Sequence, residues 1–159
     1  ALAAFVGQNI GAEKYDRIKE GYFKILGPII MYGLIVSLLL FLGSATLFKI
    51  FNPSAEVLRL GSNYLKILSI SQVFMVIEIA TQGAFNGAGK NMPPAIIGIV
   101  FNAFRIPAAN ILSHYYGING VWWAITISSA FKGTILLIWW ILLMRSGGYI
   151  KVKTAEQTI

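Results

Sequence analysis

Between Lys24 and Lys49 the chain carries no charged side chain, and similar runs recur downstream with a single charge inside each. These runs are Leu68 to Gly89 with Glu78, Met92 to Ile118 with Arg105, and Ile118 to Met144 with Lys132. A bilayer core about 30 Å thick is crossed by about 20 apolar residues of helix, each rising about 1.5 Å. The runs therefore predict transmembrane helices near 25-48, 62-87, 93-115 and 120-144, an all-α polytopic transmembrane helix bundle. The opening stretch ALAAFVGQNI reads as the end of a preceding helix. Because the chain starts at Ala1 and not at a methionine, it is expected to be part of a larger membrane protein. Composition agrees, with 57% hydrophobic and 12% charged residues and a mean hydropathy of +0.70. That is roughly half the charge of an average soluble domain, too little to build a surface facing water.

A net charge of +7 invites a nucleic-acid reading, which the distribution of the charges excludes. With loops assigned alternately to two sides, one side receives Lys14, Arg17, Lys19, Lys24, Lys90, Arg145, Lys151 and Lys153, the other Lys49 and Arg59. This is the asymmetry of the positive-inside rule. It places the segment 11-22, the Gly89-Lys90-Asn91 turn and the tail 146-159 in the cytosol of a multi-pass cell-membrane protein. The charge alternation in EKYDRIKEGYFK reads as a solvated cytosolic helix. Trp122 and Trp123 against Trp139 and Trp140 are about 18 residues apart, roughly 27 Å, the spacing of two interfacial belts. The alternative is that these tryptophans fill a core. There is no cysteine, so disulfides and Cys-based metal sites are excluded, and no cleavable signal pattern is visible.

The punctuation suits a helical bundle. Asn52-Pro53-Ser54 ends one span in a turn, and Pro93-Pro94 opens another where missing amide hydrogens cost little. Gly27-Pro28 and Pro107 are expected to kink their helices. Gly83 and Gly87 form a GxxxG spacing that lets a neighbouring helix approach closely.

Glu78 is the residue that most needs explaining. A charge within a span costs about 2.5 to 3.5 kcal/mol on insertion scales, so it faces an interior partner or a wet cavity. It lies about 12 residues, roughly 18 Å of helix, from the turn at Lys90, too deep to reach the interface. Arg105 on the next, antiparallel helix returns to nearly the same depth, and Lys132 reaches that layer too. Ser71, Met75, Glu78 and Gln82 share one helical face. Asn102 precedes Arg105 by one turn, and Ser128 and Ser129 precede Lys132 by four and three residues. Together they predict a polar seam or cavity between helices. Two readings stay open: an ion pair of Glu78 with Arg105 that only sets helix register, or a site that handles ions or substrate. Lys132 either joins the layer or pairs with an acid on a helix outside this chain.

Enzymatic chemistry has no support in the motifs. GAFNGAGKN fails the phosphate-loop pattern because Ala84 replaces the first glycine and Asn91 the final hydroxyl residue. His114, beside Tyr115 and Tyr116, reads as interfacial, and no paired carboxylates, nucleophile elbow or HExxH motif is found.

ALAAFVGQNIGAEKYDRIKEG resembles the junction between two helices in transporters of the multidrug and toxic compound extrusion (MATE) family, above all in the GQNxGA core at Gly7 to Ala12. GAFNGAGKNMPPAIIGIVFNAFRIP is similar to the family's GA-x-x-G-x-G-x-x-x-P element, and GINGVWWAITIS to its opening of a final helix. The resemblance covers essentially the whole chain. It implies a twelve-helix exporter of two six-helix lobes, this chain being a partial C-terminal lobe, residues 1-159, that holds the end of helix 8 and helices 9 to 12. The implied partners are the lipid bilayer, the N-terminal lobe of the same chain and a small-molecule substrate. The implied activity is secondary active antiport, exporting organic cations or drugs as Na+ or H+ enters, with no cofactor beyond that ion. Many members bind the cation through a carboxylate eight residues before the position of Gly83. That position holds Met75, and the carboxylate stands one turn later at Glu78, which becomes the expected ion-coupling residue. Arg105, Lys132, Gln82, Asn102, Ser71 and Met75 are its expected polar surroundings. The alternatives are a flippase of related architecture for lipid-linked saccharides, suited by two buried cations against one acid, and a noncatalytic membrane scaffold subunit.

Overall fold

The computed structural model describes residues 2–51 and 53–147. Among them the chain forms five helices: α1 (Leu2–Gly11), α2 (Tyr15–Lys49), α3 (Ala55–Gly87), α4 (Met92–Tyr116) and α5 (Ile118–Arg145). Helices α2 to α5 are each long and apolar enough to cross a membrane. The chain is therefore a multi-pass integral membrane protein, and the all-α transmembrane bundle expected from its charge-free runs is borne out. From residue 148 onward the expected tail lies outside the described residues.

Local chemistry sets several of the helix ends. Ser54 caps α3 by accepting a hydrogen bond from the Val57 amide at 3.4 Å, with Glu56 in the first turn, where an acid is favoured by the exposed amides. Pro93 and Pro94 sit in the first turn of α4, where no intrahelical amide bond is lost. Gly117 joins α4 to α5 with φ +58°, a conformation open to glycine at little cost. Both α2 and α4 continue through their internal prolines, Pro28 and Pro107.

Helix α2 differs from expectation. Its 35 residues begin at Tyr15, so the segment read as a solvated helix is continuous with the span that follows it. Ile18 and Tyr22 are fully buried and Leu26 nearly so, a stripe at four-residue spacing on one side of a helix whose other side is charged. Nothing between Tyr15 and Leu26 breaks the helix, and that stripe gives the segment a packing partner. Farther along α2, Met31, Leu34, Leu38 and Leu42 are more than half exposed. Such a face is stable against acyl chains and not against water.

Helix α3 is the hub. It packs along α2, α5 and α1, while α4 packs on α5 and only grazes α3. The spatial order is thus α2, α3, α5, α4, with α1 laid against α2 and α3. The core occupies the half of the bundle nearest the Lys90 turn: Val6, Ile18, Tyr22, Ala84, Phe85 and Trp140 there are 0% exposed. Gly87 of the GxxxG spacing meets α1, where any Cβ would collide with the backbone of Ala3. Hydroxyl groups join the longer interfaces, Ser37 donating to the Ser69 carbonyl at 2.7 Å and Thr126 to the Ile67 carbonyl at 3.1 Å.

Trp140 settles which reading of the tryptophans applies at that end. It is fully buried and meets Phe85 edge to face with ring centroids 5.0 Å apart. It is a core residue and not a belt residue. Trp139 beside it is 39% exposed.

Candidate functional site

The carboxylate of Glu78 on α3 and the ammonium of Lys132 on α5 form an ion pair at 3.0 Å, their side chains 21% and 12% exposed. The backbone makes this approach possible. Gly133 follows Lys132, and a Cβ built there would overlap the carbonyl oxygen of Phe74, one turn before Glu78. Only a residue without a side chain lets α5 come so close to α3.

Arg105 of α4 meets α5 one turn before Lys132. Its Nε donates to Ser128 Oγ at 2.9 Å and one terminal nitrogen donates to Ser129 Oγ at 3.5 Å. Ser128 and Ser129 are almost fully buried. The hydroxyl of Ser128 in turn donates to the Ile125 carbonyl at 2.9 Å, which leaves its lone pairs to receive the guanidinium. Because Ser128 and Ser129 lie one turn from Lys132, a polar seam runs across three helices: Arg105 on α4, the serines and Lys132 on α5, and Glu78 on α3.

The expected pair between Glu78 and Arg105 is not formed. Helix α5 stands between α3 and α4, so Lys132 reaches the acid and Arg105 turns to hydroxyls. For Lys132, of the two readings, the one that joins it to the layer describes the structure. The rest of the expected surroundings divide. Ser71 is fully buried, but its hydroxyl is spent on the Leu68 carbonyl at 2.7 Å within its own helix. Met75 is 36% exposed, with its sulfur 4.0 Å from the Gln72 amide. Gln82 and Asn102 are exposed, and neither joins the seam. The four-residue face therefore does not act as one wall: its members at the two ends have opposite surroundings.

One buried polar contact had not been foreseen. The hydroxyls of Tyr22 and Thr81 lie 2.7 Å apart, and Thr81 also donates to the Ile77 carbonyl at 2.7 Å, so the tyrosine is the donor between them. The signal for it was the spacing of Ile18, Tyr22 and Leu26 inside a segment whose charges drew attention first.

The comparisons with known proteins point one way. The MatE family model matches residues 1–111, which take in α1 to α3 and most of α4. Among curated proteins the chain is 25% identical over 148 residues to "Probable multidrug resistance protein NorM" of Thermotoga maritima, covering 89% of this chain and 31% of that protein. It is 28% identical over 142 residues to the protein of the same description in Bacillus anthracis, covering 87% and 31%. To "Probable multidrug resistance protein YoeA" of Bacillus subtilis it is 25% identical over 142 residues, covering 87% and 30%. The chain thus spans less than a third of the length of these curated relatives. No solved structure matches it. With the family model covering more than half of its residues, the chain belongs to the MatE family.

Proposed function

We propose that this chain is part of a secondary active transporter, an antiporter that exports organic cations or drugs while Na+ or H+ enters, and that Glu78 is its ion-coupling residue. Family membership and the relatives' description as probable multidrug resistance proteins support the export role. The observation that carries the coupling role is the Glu78–Lys132 pair, held at 3.0 Å deep in two membrane-length helices.

Such a pair is suited to exchange. A carboxylate in the hydrocarbon layer needs a positive partner, and a lone charge there is costly. Lys132 supplies that partner while the site is empty of other cations. A proton, a sodium ion or a cationic substrate that reaches Glu78 takes over the role, and two cations cannot share one carboxylate at low dielectric without repulsion. Binding and pair breaking are then mutually exclusive, and the released Lys132 has Ser128 and Ser129 one turn away. Such competition lets an ion bias one arrangement of α5 against α3 over another, since a ligand shifts a conformational equilibrium only by its differential affinity for the two states.

A second reading has its own observation. Among the described residues Arg105 is met by hydroxyls and by no carboxylate, so the seam holds two cations and one acid. That excess suits the anionic head group of a lipid-linked saccharide moved by a flippase of related architecture.

The full-length protein in proteoliposomes distinguishes them. With Glu78→Gln, the antiporter reading expects ion-driven efflux of a cationic dye to stop while the protein remains folded and inserted. Undiminished coupled efflux would remove Glu78 from the mechanism.

A further inference from the structure

Helix α3 carries a row of polar side chains that the seam does not use. Glu78, Gln82 and Asn86 follow one another at four-residue spacing, and Lys90, in the turn beyond α3, stands four residues farther on. Residues four apart on a helix are side-by-side neighbours, each step rising about 6 Å. Gln82 and Asn86 are exposed, and among the described residues neither side-chain amide has a hydrogen-bond partner. Glu78, at the head of the row, keeps 21% of its side chain exposed although Lys132 holds it.

Free amides at this depth need an explanation. Gln82 lies about 12 Å of helix from Lys90, inside a membrane-length span, where polar groups face protein or a wet cavity and not lipid. A helix of the remaining protein that bonds across to them is one solution. The direction of the row favours the other, water. It begins at the carboxylate of the seam and ends at the basic turn read as cytosolic. In the opposite direction it stops: Phe74 and Ile70 take the next two places, and the neighbouring Ser71 and Gln72 spend their donors on the Leu68 carbonyl.

Amides suit such a role because each offers a carbonyl oxygen and two N–H donors. The oxygen accepts from water that carries a proton, or replaces one water of a hydrated sodium ion, without the charge that would trap either. Two amides at steps of about 6 Å leave no long apolar gap between Glu78 and the turn.

We propose that Gln82 and Asn86 line a water-filled path by which a small monovalent cation leaves Glu78 for the cytosol, and that in this conformation the path has no counterpart toward the opposite face. The inference rests on the reading of Glu78 as the ion-coupling residue, and adds the route and its direction.

The test reads water access and not transport. In the full-length protein freed of other cysteines, Gln82→Cys, Asn86→Cys and Ile99→Cys are treated with the membrane-impermeant cation 2-(trimethylammonium)ethyl methanethiosulfonate. All three positions are exposed, so folding is not at stake. Ile99 lies at about the depth of Gln82 and is 71% exposed, but among the apolar residues Ile96 and Val100, and it represents a lipid-facing position. A thiol reacts as its thiolate, which forms in water and not in apolar surroundings. In inside-out vesicles, which present the cytosolic face, both row positions are expected to react at least about tenfold faster than Ile99→Cys. In right-side-out vesicles they are expected to stay unmodified. Failure of either row position to react from the cytosolic face, as a covering helix or lipid predicts, would overturn the path, and so would equal reaction at Ile99→Cys. Modification in right-side-out vesicles would overturn its direction. Labelling needs no coupled efflux, so a protein whose efflux survives Glu78→Gln still reports whether the path exists.

Discussion

Gly133 lies against the carbonyl oxygen of Phe74 so closely that any Cβ there would overlap it. This contact joins α5 to α3 one residue from Lys132 and one turn from Glu78, and it sets the distance across which their side chains meet.

The first prediction concerns that spacing. Gly133→Ala is expected to force the helices apart at an interface with no spare room, a change of the overpacking kind that costs about 1 to 3 kcal/mol. Thermal unfolding of the full-length protein in detergent should show the loss. Gly98, whose Cβ would meet open space, should accept alanine without such a cost.

A second prediction addresses the ion pair. Lys132→Met alone leaves the Glu78 carboxylate within the span without its partner, and a lone charge there costs about 2.5 to 3.5 kcal/mol on insertion scales. Lys132→Met combined with Glu78→Gln should recover most of that loss, because no uncompensated charge remains. A double-mutant cycle of unfolding midpoints measures the coupling, and additive effects of the two changes would deny that the residues act as a pair.

The tryptophans give a third. Trp140→Ala should cost about 3 to 5 kcal/mol, as expected for an aromatic side chain removed from a packed core. Trp139→Ala, at a side chain 39% exposed, should cost much less. Similar losses at both positions would return Trp140 to an interfacial role.

Much of this architecture was legible in the chain itself. Charge-free runs marked the spans because a bilayer tolerates little else, and Glu78, Arg105 and Lys132 stood out because each interrupts such a run. Their common depth followed from counting residues away from the turns. What counting could not supply was the side-by-side order of the helices. Chain order suggested that α3 neighbours α4, whereas α5 lies between them and changes which cation meets Glu78. The same limit applies to Trp140 and Tyr22. Each sits where the local pattern also permits an interfacial or solvated residue, and only the packing of α1, α3 and α5 around them decides. Gln82 and Asn102 are polar residues at plausible depth, but side-chain direction is set by helix rotation, which periodicity alone leaves loose when polar groups are few.

The claim on which the functional account rests is that Glu78 and Lys132 exchange partners during transport and do more than hold two helices in register. The most direct measurement is ion-driven efflux from proteoliposomes by the full-length protein carrying Glu78→Lys together with Lys132→Glu. The swap keeps an opposite-charge pair across the same interface but moves the carboxylate from α3 to α5. The account predicts a folded, inserted protein near wild-type stability whose efflux no longer follows the ion gradient. A swapped protein that couples as well as the wild type would show that any pair serves, and would contradict it.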